Sequence, residues 1–418
     1  MKKFAPPLIV ALLGSVFLFA QNAAGDIDIE KARQLFERQK SGQTLTADER
    51  AYVEHAMALK GGKNPGQQSP GTAAAPGGDI DWEKAKGLYQ REQKGEKLSP
   101  EDQAYLNRAK ESRGGKGGGK PGGAAPNQRK APEHLPPLSD MSGTDRYEGE
   151  DGGLYGGGSN VPPEAHVKAA QAQLARIQPL GADGKPSADG KIVFVSISMS
   201  NATQEFSFFK TKADAAPQKS PKVTIVDCAQ GGQAMAEWVP ADGRPWEEAK
   251  RRLTQAGVSP LQVQTAWIKL ANKAPGGSLQ EHGKKLEADT LAVLHNARAL
   301  FPNLRIAYLG SRTYGGYANG GLNPEPYAYE SAFAARWLIQ RQMKGDAELA
   351  EMKSPLLLWG PYLWADGTKG RKLDSLVWER ADFGGDGVHP SESGREKVST
   401  LLLNFLSKDP FAKSWFAK

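Results

Sequence analysis

Near the end of the chain, Gly384-Gly385-Asp386-Gly387-Val388-His389-Pro390 sets a carboxylate three residues ahead of an imidazole in a glycine-rich loop. In such a turn both side chains can fall on one side. The carboxylate then orients the imidazole, which can act as a general base at neutral pH. A base needs a group to activate. Ser200 follows the apolar run Ile192-Val193-Phe194-Val195, where a strand should end, and Ser198 lies two residues earlier. Ser…Asp…His in that order is one of the orders that nucleophilic hydrolases use.

These residues need a scaffold, and the C-terminal part of the chain supplies the pattern for one. Apolar strand candidates run over Ile192–Ile197, Val223–Val226, Val263–Leu270, Leu304–Leu309 and Leu356–Trp359. Helical patterns lie between them around Trp246–Ala256, Leu279–Leu300 and Ala328–Met343, and a last one starts at about Glu392. Near-continuous apolar strands alternating with amphipathic helices predict an α/β fold, a parallel sheet covered on both faces. Ligand sites in such sheets form at the carboxyl ends of the strands. Ser200, Gly231-Gly232, Asn272, Ser311-Arg312 and Gly360 all follow strand candidates on that edge.

On these residues, the segment from about Lys191 to the C-terminus resembles the SGNH (GDSL-type) hydrolase superfamily, and in its block pattern the carbohydrate acetylesterase branch. The late Asp386-Gly387-Val388-His389-Pro390 matches the family's Asp-x-x-His block. Ser198-Met199-Ser200-Asn201 resembles the Gly-Gln-Ser-Asn variant of the first block and makes Ser200 the nucleophile, while aligning Ser196-Ile197-Ser198-Met199-Ser200 with Gly-Asp-Ser-Leu-Ser selects Ser198. In the second block Gly232 is the better match and Gly231 the alternative. In the third, Trp267 and Asn272 align, Leu270 replaces a glycine, and Lys269 stands in the glutamine position.

The resemblance implies a flavodoxin-like three-layer α/β/α domain whose Ser200, Asp386 and His389 form a triad. Gly232 and Asn272 would be oxyanion donors, with no cofactor and no metal. It further implies an exported serine ester hydrolase that removes acyl groups from a carbohydrate or similar polar ester. The departures in the first and third blocks keep a second expectation open, an inactive SGNH-like domain that binds envelope glycan or protein. The loop from Ser311 to Tyr329 is rich in Tyr, Gly and Asn. There Arg312 and Tyr314, with Lys269, are the expected substrate-binding residues, since aromatic rings stack on sugars and cations donate to hydroxyls or carboxylates.

Upstream the composition changes. Met1-Lys2-Lys3 and the apolar run Leu8 to Ala20 read as a signal peptide over residues 1–24, which predicts export to the periplasm or beyond. Residues 26–60 and 79–113 repeat one another: Asp26-Ile27-Asp28-Ile29-Glu30-Lys31-Ala32-Arg33 matches Asp79-Ile80-Asp81-Trp82-Glu83-Lys84-Ala85-Lys86. Each predicts a helical hairpin, with Asp28 or Asp81 capping its first helix and Thr46 or Ser99 its second. Hairpins of this size are marginal alone and suggest a protein or envelope partner. The Gly/Pro-rich stretches 61–78 and 114–160 read as linkers, leaving 161–418 as the hydrolase-like domain.

The net charge of +7 over 418 residues is modest, and basic residues of the second linker lie among glycines, which argues against nucleic acid as a partner. Cys228 is the only cysteine, so no intramolecular disulfide can form. No histidine pair has H-x-x-x-H spacing with a third ligand, and neither Asp-x-Asp-x-Glu start has the later glycine and glutamate of a calcium loop.

Overall fold

The computed structural model describes residues 128–418 without a break and scattered positions between Lys31 and Ala109. The signal-peptide run, the first linker and the capping candidate Asp28 lie outside the described residues. Five strands form one all-parallel sheet: β1 (Ile192–Ser198), β2 (Val223–Asp227), β3 (Val263–Lys269), β4 (Ile306–Leu309) and β5 (Leu356–Trp359), in the order β2-β1-β3-β4-β5. This is the α/β arrangement expected from the strand pattern, in the flavodoxin-like form that the resemblance implied. Its strand order reverses between β1 and β3, the place at whose carboxyl ends sheets of this kind form their ligand crevice.

Alternation along each strand sends side chains to two separate cores. Val193, Val195 and Ile197 of β1 join Ala266, Ile268, Ala307 and Leu357 on one face. There α3 (Arg244–Gln255), α4 (Lys284–Leu300) and α5 (Tyr327–Met343) cover them through Trp246, Val293 and Phe333. Ile192, Phe194, Trp267 and Tyr308 face the other way. They meet α1 (Glu164–Leu174), α2 (Ser200–Ala215), α6 (Glu392–Lys408) and the short α7 (Lys413–Phe416). Phe206 of α2 stacks on Trp267 with ring centroids 5.8 Å apart.

The second linker was expected to reach residue 160, but residues 128–162 lie against the domain. Leu135, Leu138, Met141, Tyr147, Leu154 and Tyr155 are buried in the same core as α5. Polar ties accompany them. The Leu138 N–H donates to Tyr362 Oη at 3.1 Å, and Trp359 Nε1 donates to the Leu154 carbonyl at 2.7 Å. Fully buried Arg336 pairs with Glu150 at 2.6 Å. Buried Glu330 accepts from Tyr147 Oη at 2.5 Å and is also bonded by Arg129 and His282. Gly, Pro and charge disguised this segment as solvent-exposed chain; its apolar residues are sparse, but all the large ones except Val161 are buried.

In the first repeat Thr46 Oγ1 accepts from the Glu49 N–H at 3.2 Å while Glu49 accepts from the Thr46 N–H at 2.9 Å, a reciprocal cap. In the second, Asp81 accepts from the Lys84 N–H and Ser99 from the Asp102 N–H, both at 3.1 Å. Among the described residues no helix is long and apolar enough to cross a membrane.

Because Leu138 is completely buried, Leu138→Ala should lower the unfolding free energy by about 3 kcal/mol in a denaturant titration of the full chain. A loss below about 0.5 kcal/mol, typical of a surface site, would mean that the wrapping segment is not part of the cooperative unit.

Candidate active site

Ser200 is the first residue of α2, directly after β1, and His389 stands two residues before Ser391, the N-cap of α6. Because these helices pack together, the Ser200 hydroxyl comes to 2.7 Å from His389 Nε2. His389 Nδ1 lies 2.5 Å from Asp386 Oδ2, and the N–H groups of Val388 and His389 donate to Asp386 Oδ1 at 2.9 and 3.0 Å. Partial burial pushes the Asp386 carboxyl up, but the bonds from His389 and from the two backbone N–H groups outweigh it and hold the group at about 2. An ionised carboxylate only accepts, so Nδ1 carries the proton and Nε2 offers its lone pair to Ser200. Serine, imidazole and carboxylate therefore form one continuous hydrogen-bonded chain.

Ser198, the other candidate, is fully buried, and its hydroxyl donates to the Lys269 carbonyl. It faces away from solvent and does not touch the imidazole. Ser200 is half-buried and opens a helix, so its own N–H has no partner within α2 and sits at the positive end of the helix dipole. Gly232 adopts φ +78° on an exposed turn with open space around it, a left-handed conformation that favours glycine. The turn is held to β1 by the Gln230 N–H, which donates to the Ser198 carbonyl at 3.0 Å.

Of the other expected residues, the two cations are buried. Lys269 is completely enclosed and donates to both oxygens of Glu205, at 2.7 and 2.5 Å. It cannot offer its ammonium to a solute. Burial pulls the ammonium below its ordinary range, and Glu205 offsets only part of that. Arg312 is also buried, its guanidinium pulled down by burial against the attraction of Glu205 and Glu325. Asn272 directs its amide to Asp289 Oδ2 at 3.0 Å, toward α4. Tyr314 is half-buried and packs edge-on against Tyr317, ring centroids 5.0 Å apart. Among the described residues no group of His, Cys, Asp and Glu side chains is arranged to hold a metal ion.

Three acidic residues escaped the sequence reading because their roles depend on the fold. Glu205 sits one turn into α2, and its pairing with Lys269 fastens that turn to the end of β3. Asp227, at the end of β2, accepts from Ser196 and Thr203 at 2.5 Å each and from Ser207 at 2.7 Å. Thr203 and Ser207 follow Ser200 along one side of α2, so the carboxylate fixes the helix that carries the nucleophile candidate. Glu325 anchors the loop between β4 and α5, accepting from Gly315 N–H and Trp364 Nε1 at 2.7 Å and from Tyr329 N–H at 2.9 Å. Its burial pushes the carboxyl up to about 7 despite those donors.

No protein-family model matches the chain, and no curated protein matches it. Among solved structures, the chain is similar to an Arabidopsis thaliana protein at 16% identity and TM-score 0.28, over 49% of this chain and 67% of that one. It is similar to a Bacteroides fragilis protein described as a candidate acylhydrolase at 12% and 0.30, over 58% of this chain and 95% of that one. A third is the periplasmic domain of a lipopolysaccharide acetyltransferase from Salmonella Paratyphi A, at 12% and 0.28, over 60% of this chain and 99% of that one. Likeness at this level says nothing of chemistry.

The burial of Glu325 also predicts a pH dependence of stability. With its folded value at about 7 against the usual 4.5, the native state keeps a proton that the unfolded chain releases between those values. The resulting stability is complete below about pH 4.5 and is lost as pH rises through about 7. Glu325→Gln, which keeps an acceptor without the charge, should remove a fall on the order of 3 kcal/mol between pH 4.5 and 8. Denaturant unfolding of both proteins at the two pH values measures it, and parallel curves would refute the assignment.

Proposed function

We propose that this protein is a serine ester hydrolase. The observation that carries the reading is the continuous chain from Ser200 through His389 to Asp386, with contacts of 2.7 and 2.5 Å. In this mechanism Ser200 Oγ attacks an ester carbonyl as its proton passes to His389 Nε2. Asp386 accepts from Nδ1 throughout, keeping the needed tautomer and stabilising the imidazolium. The N–H groups of Ser200 and Gly232 face the developing oxyanion. Asn272 contributes there through the amide hydrogen that Asp289 does not occupy. A donor of this kind is typically worth about 3–4 kcal/mol in the transition state. His389 then protonates the leaving alcohol, and water attacks the acyl-serine by the same route in reverse, releasing the acid and free enzyme.

For the substrate we propose a carbohydrate or similarly polar acyl ester. Tyr314 and Tyr317, on the loop after β4, support this choice because half-buried rings suit the flat faces of sugars. The apolar run Leu8 to Ala20 supports export, and the paired N-terminal repeats support attachment to a partner in the envelope.

A fluorophosphonate probe should label the folded protein at Ser200, located by peptide mass spectrometry. Ser200→Ala should lower kcat on p-nitrophenyl acetate by roughly 10^4-fold or more while leaving Tm unchanged. An unlabelled, inactive wild-type protein would instead favour a glycan- or protein-binding role for the same cleft.

A further inference from the structure

Asp386 and His389 occupy a loop with glycines at 384, 385 and 387, which has little stiffness of its own. Internal bonds shape it: the Gly384 N–H donates to the His389 carbonyl at 2.8 Å, and the Gly387 N–H to the Gly384 carbonyl at 3.0 Å. Such bonds set the local curve without fixing where the loop stands relative to α2. That placement needs contacts from elsewhere.

Two exposed side chains supply them on a single atom. Asn319 Nδ2 donates to the Gly385 carbonyl at 2.7 Å, and Arg380 Nη2 donates to the same oxygen at 3.0 Å. Asn319 grips a second time, its backbone N–H donating to the Asp386 carbonyl at 2.9 Å. Arg380 Nη1 adds bonds to the carbonyls of Phe383 at 3.0 Å and Gly384 at 2.8 Å. The peptides on both sides of Asp386 are thus held from outside the loop.

Asn319 belongs to residues 310–326, between β4 and α5, which lie across the carboxyl edge as a strap. Gly387 shows how tightly the strap is applied. At φ +71°, a Cβ there would stand 1.7 Å from the Tyr317 carbonyl. At its far side the strap meets the loop after β3, where Asn323 Nδ2 donates to the Asn272 carbonyl at 2.9 Å. One segment therefore ties the Asp386 loop to the edge that carries Asn272.

We propose that Asn319 and Arg380 are positioning residues that jointly clamp the Gly385 carbonyl and, through Asp386, hold His389 in line with Ser200. Neither reaches the reacting atoms. A displacement of about 1 Å between reacting groups can cost 10^2-fold in rate, so two surface bonds suffice to matter. Both side chains are exposed and could bond to water instead, so their removal leaves the cores intact.

The inference rests on the proposed roles of Ser200, His389 and Asp386, and its test includes a readout that does not need turnover. Asn319→Ala and Arg380→Met should each lower kcat on p-nitrophenyl acetate about tenfold with little change in KM or Tm, and the double variant should lose more than either. Arg380→Lys should recover part of the loss. In parallel, the low-field proton NMR resonance of His389 Nδ1–H, assigned by its disappearance in His389→Gln, should move upfield or broaden in the two variants. Unchanged kcat and an unchanged resonance would overturn the proposal, as would a rise in KM alone, which would make Asn319 a substrate contact. A wild-type protein without esterase activity, whose variants still shift the resonance, would uphold the clamp and refute the hydrolase reading instead.

Discussion

The 2.7 Å contact between Ser200 and His389 joins residues 189 positions apart, and it exists only because α2 and α6 lie side by side on one face of the sheet. The two helices share a core in which Ala202, Phe206 and Phe209 meet Val398 and Leu402. Lys212 ties them on the outer side through Thr400 Oγ1 at 2.8 Å. Each helix begins at the carboxyl edge, so packing their sides brings their starts together. The serine is at one start and the histidine loop leads into the other. Hydrophobic burial, which has no direction of its own, is converted into a directed contact by two helix ends in register.

Packing alone does not explain how α2 keeps its position, because an apolar interface tolerates sliding. Two polar seams, one partly buried and one fully enclosed, remove that freedom. Asp227 collects hydroxyls from Ser196, Thr203 and Ser207. Lys269 and Glu205 pair with both side chains almost entirely out of water. A buried pair of this kind contributes little net stability, since desolvation offsets most of its attraction, but breaking one partner leaves an uncompensated charge. Any shift of α2 along β3 would break it. The pair therefore specifies where the helix sits, and the lysine that the sequence offered as a substrate contact serves that end.

The sheet was legible because its strands are buried on both faces and therefore read as unbroken apolar runs. Asp386 and His389 were legible because their spacing within one short loop carries the geometry. Helix α2 was harder to see: its apolar positions Ala202, Phe206, Phe209 and Ala213 follow helical spacing, yet Ser200, Asn201, Thr203 and Gln204 hide its start. The choice between Ser198 and Ser200 was open in the sequence, since it turns on which residue lies inside the strand and which opens the helix. Lys269 was misplaced for a related reason. A cation near a cleft looks the same in a sequence whether it faces solvent or a buried carboxylate, and Glu205 lies 64 positions away from it.

The two halves of the site are thus held by different means. On the serine side the main constraints are the enclosed Lys269–Glu205 pair and the apolar face of α2, and opening them requires partial loss of the core. On the histidine side they are exposed hydrogen bonds from Asn319 and Arg380 to a loop with three glycines. Exposed bonds with few apolar contacts belong to the low-stability end of a folded protein, where local opening costs least. Movement that separates His389 from Ser200 should therefore arise in the Asp386 loop and the strap above it, with α2 stationary. The carboxyl edge can therefore open on the side of His389 while Ser200, at the start of α2, stays in place.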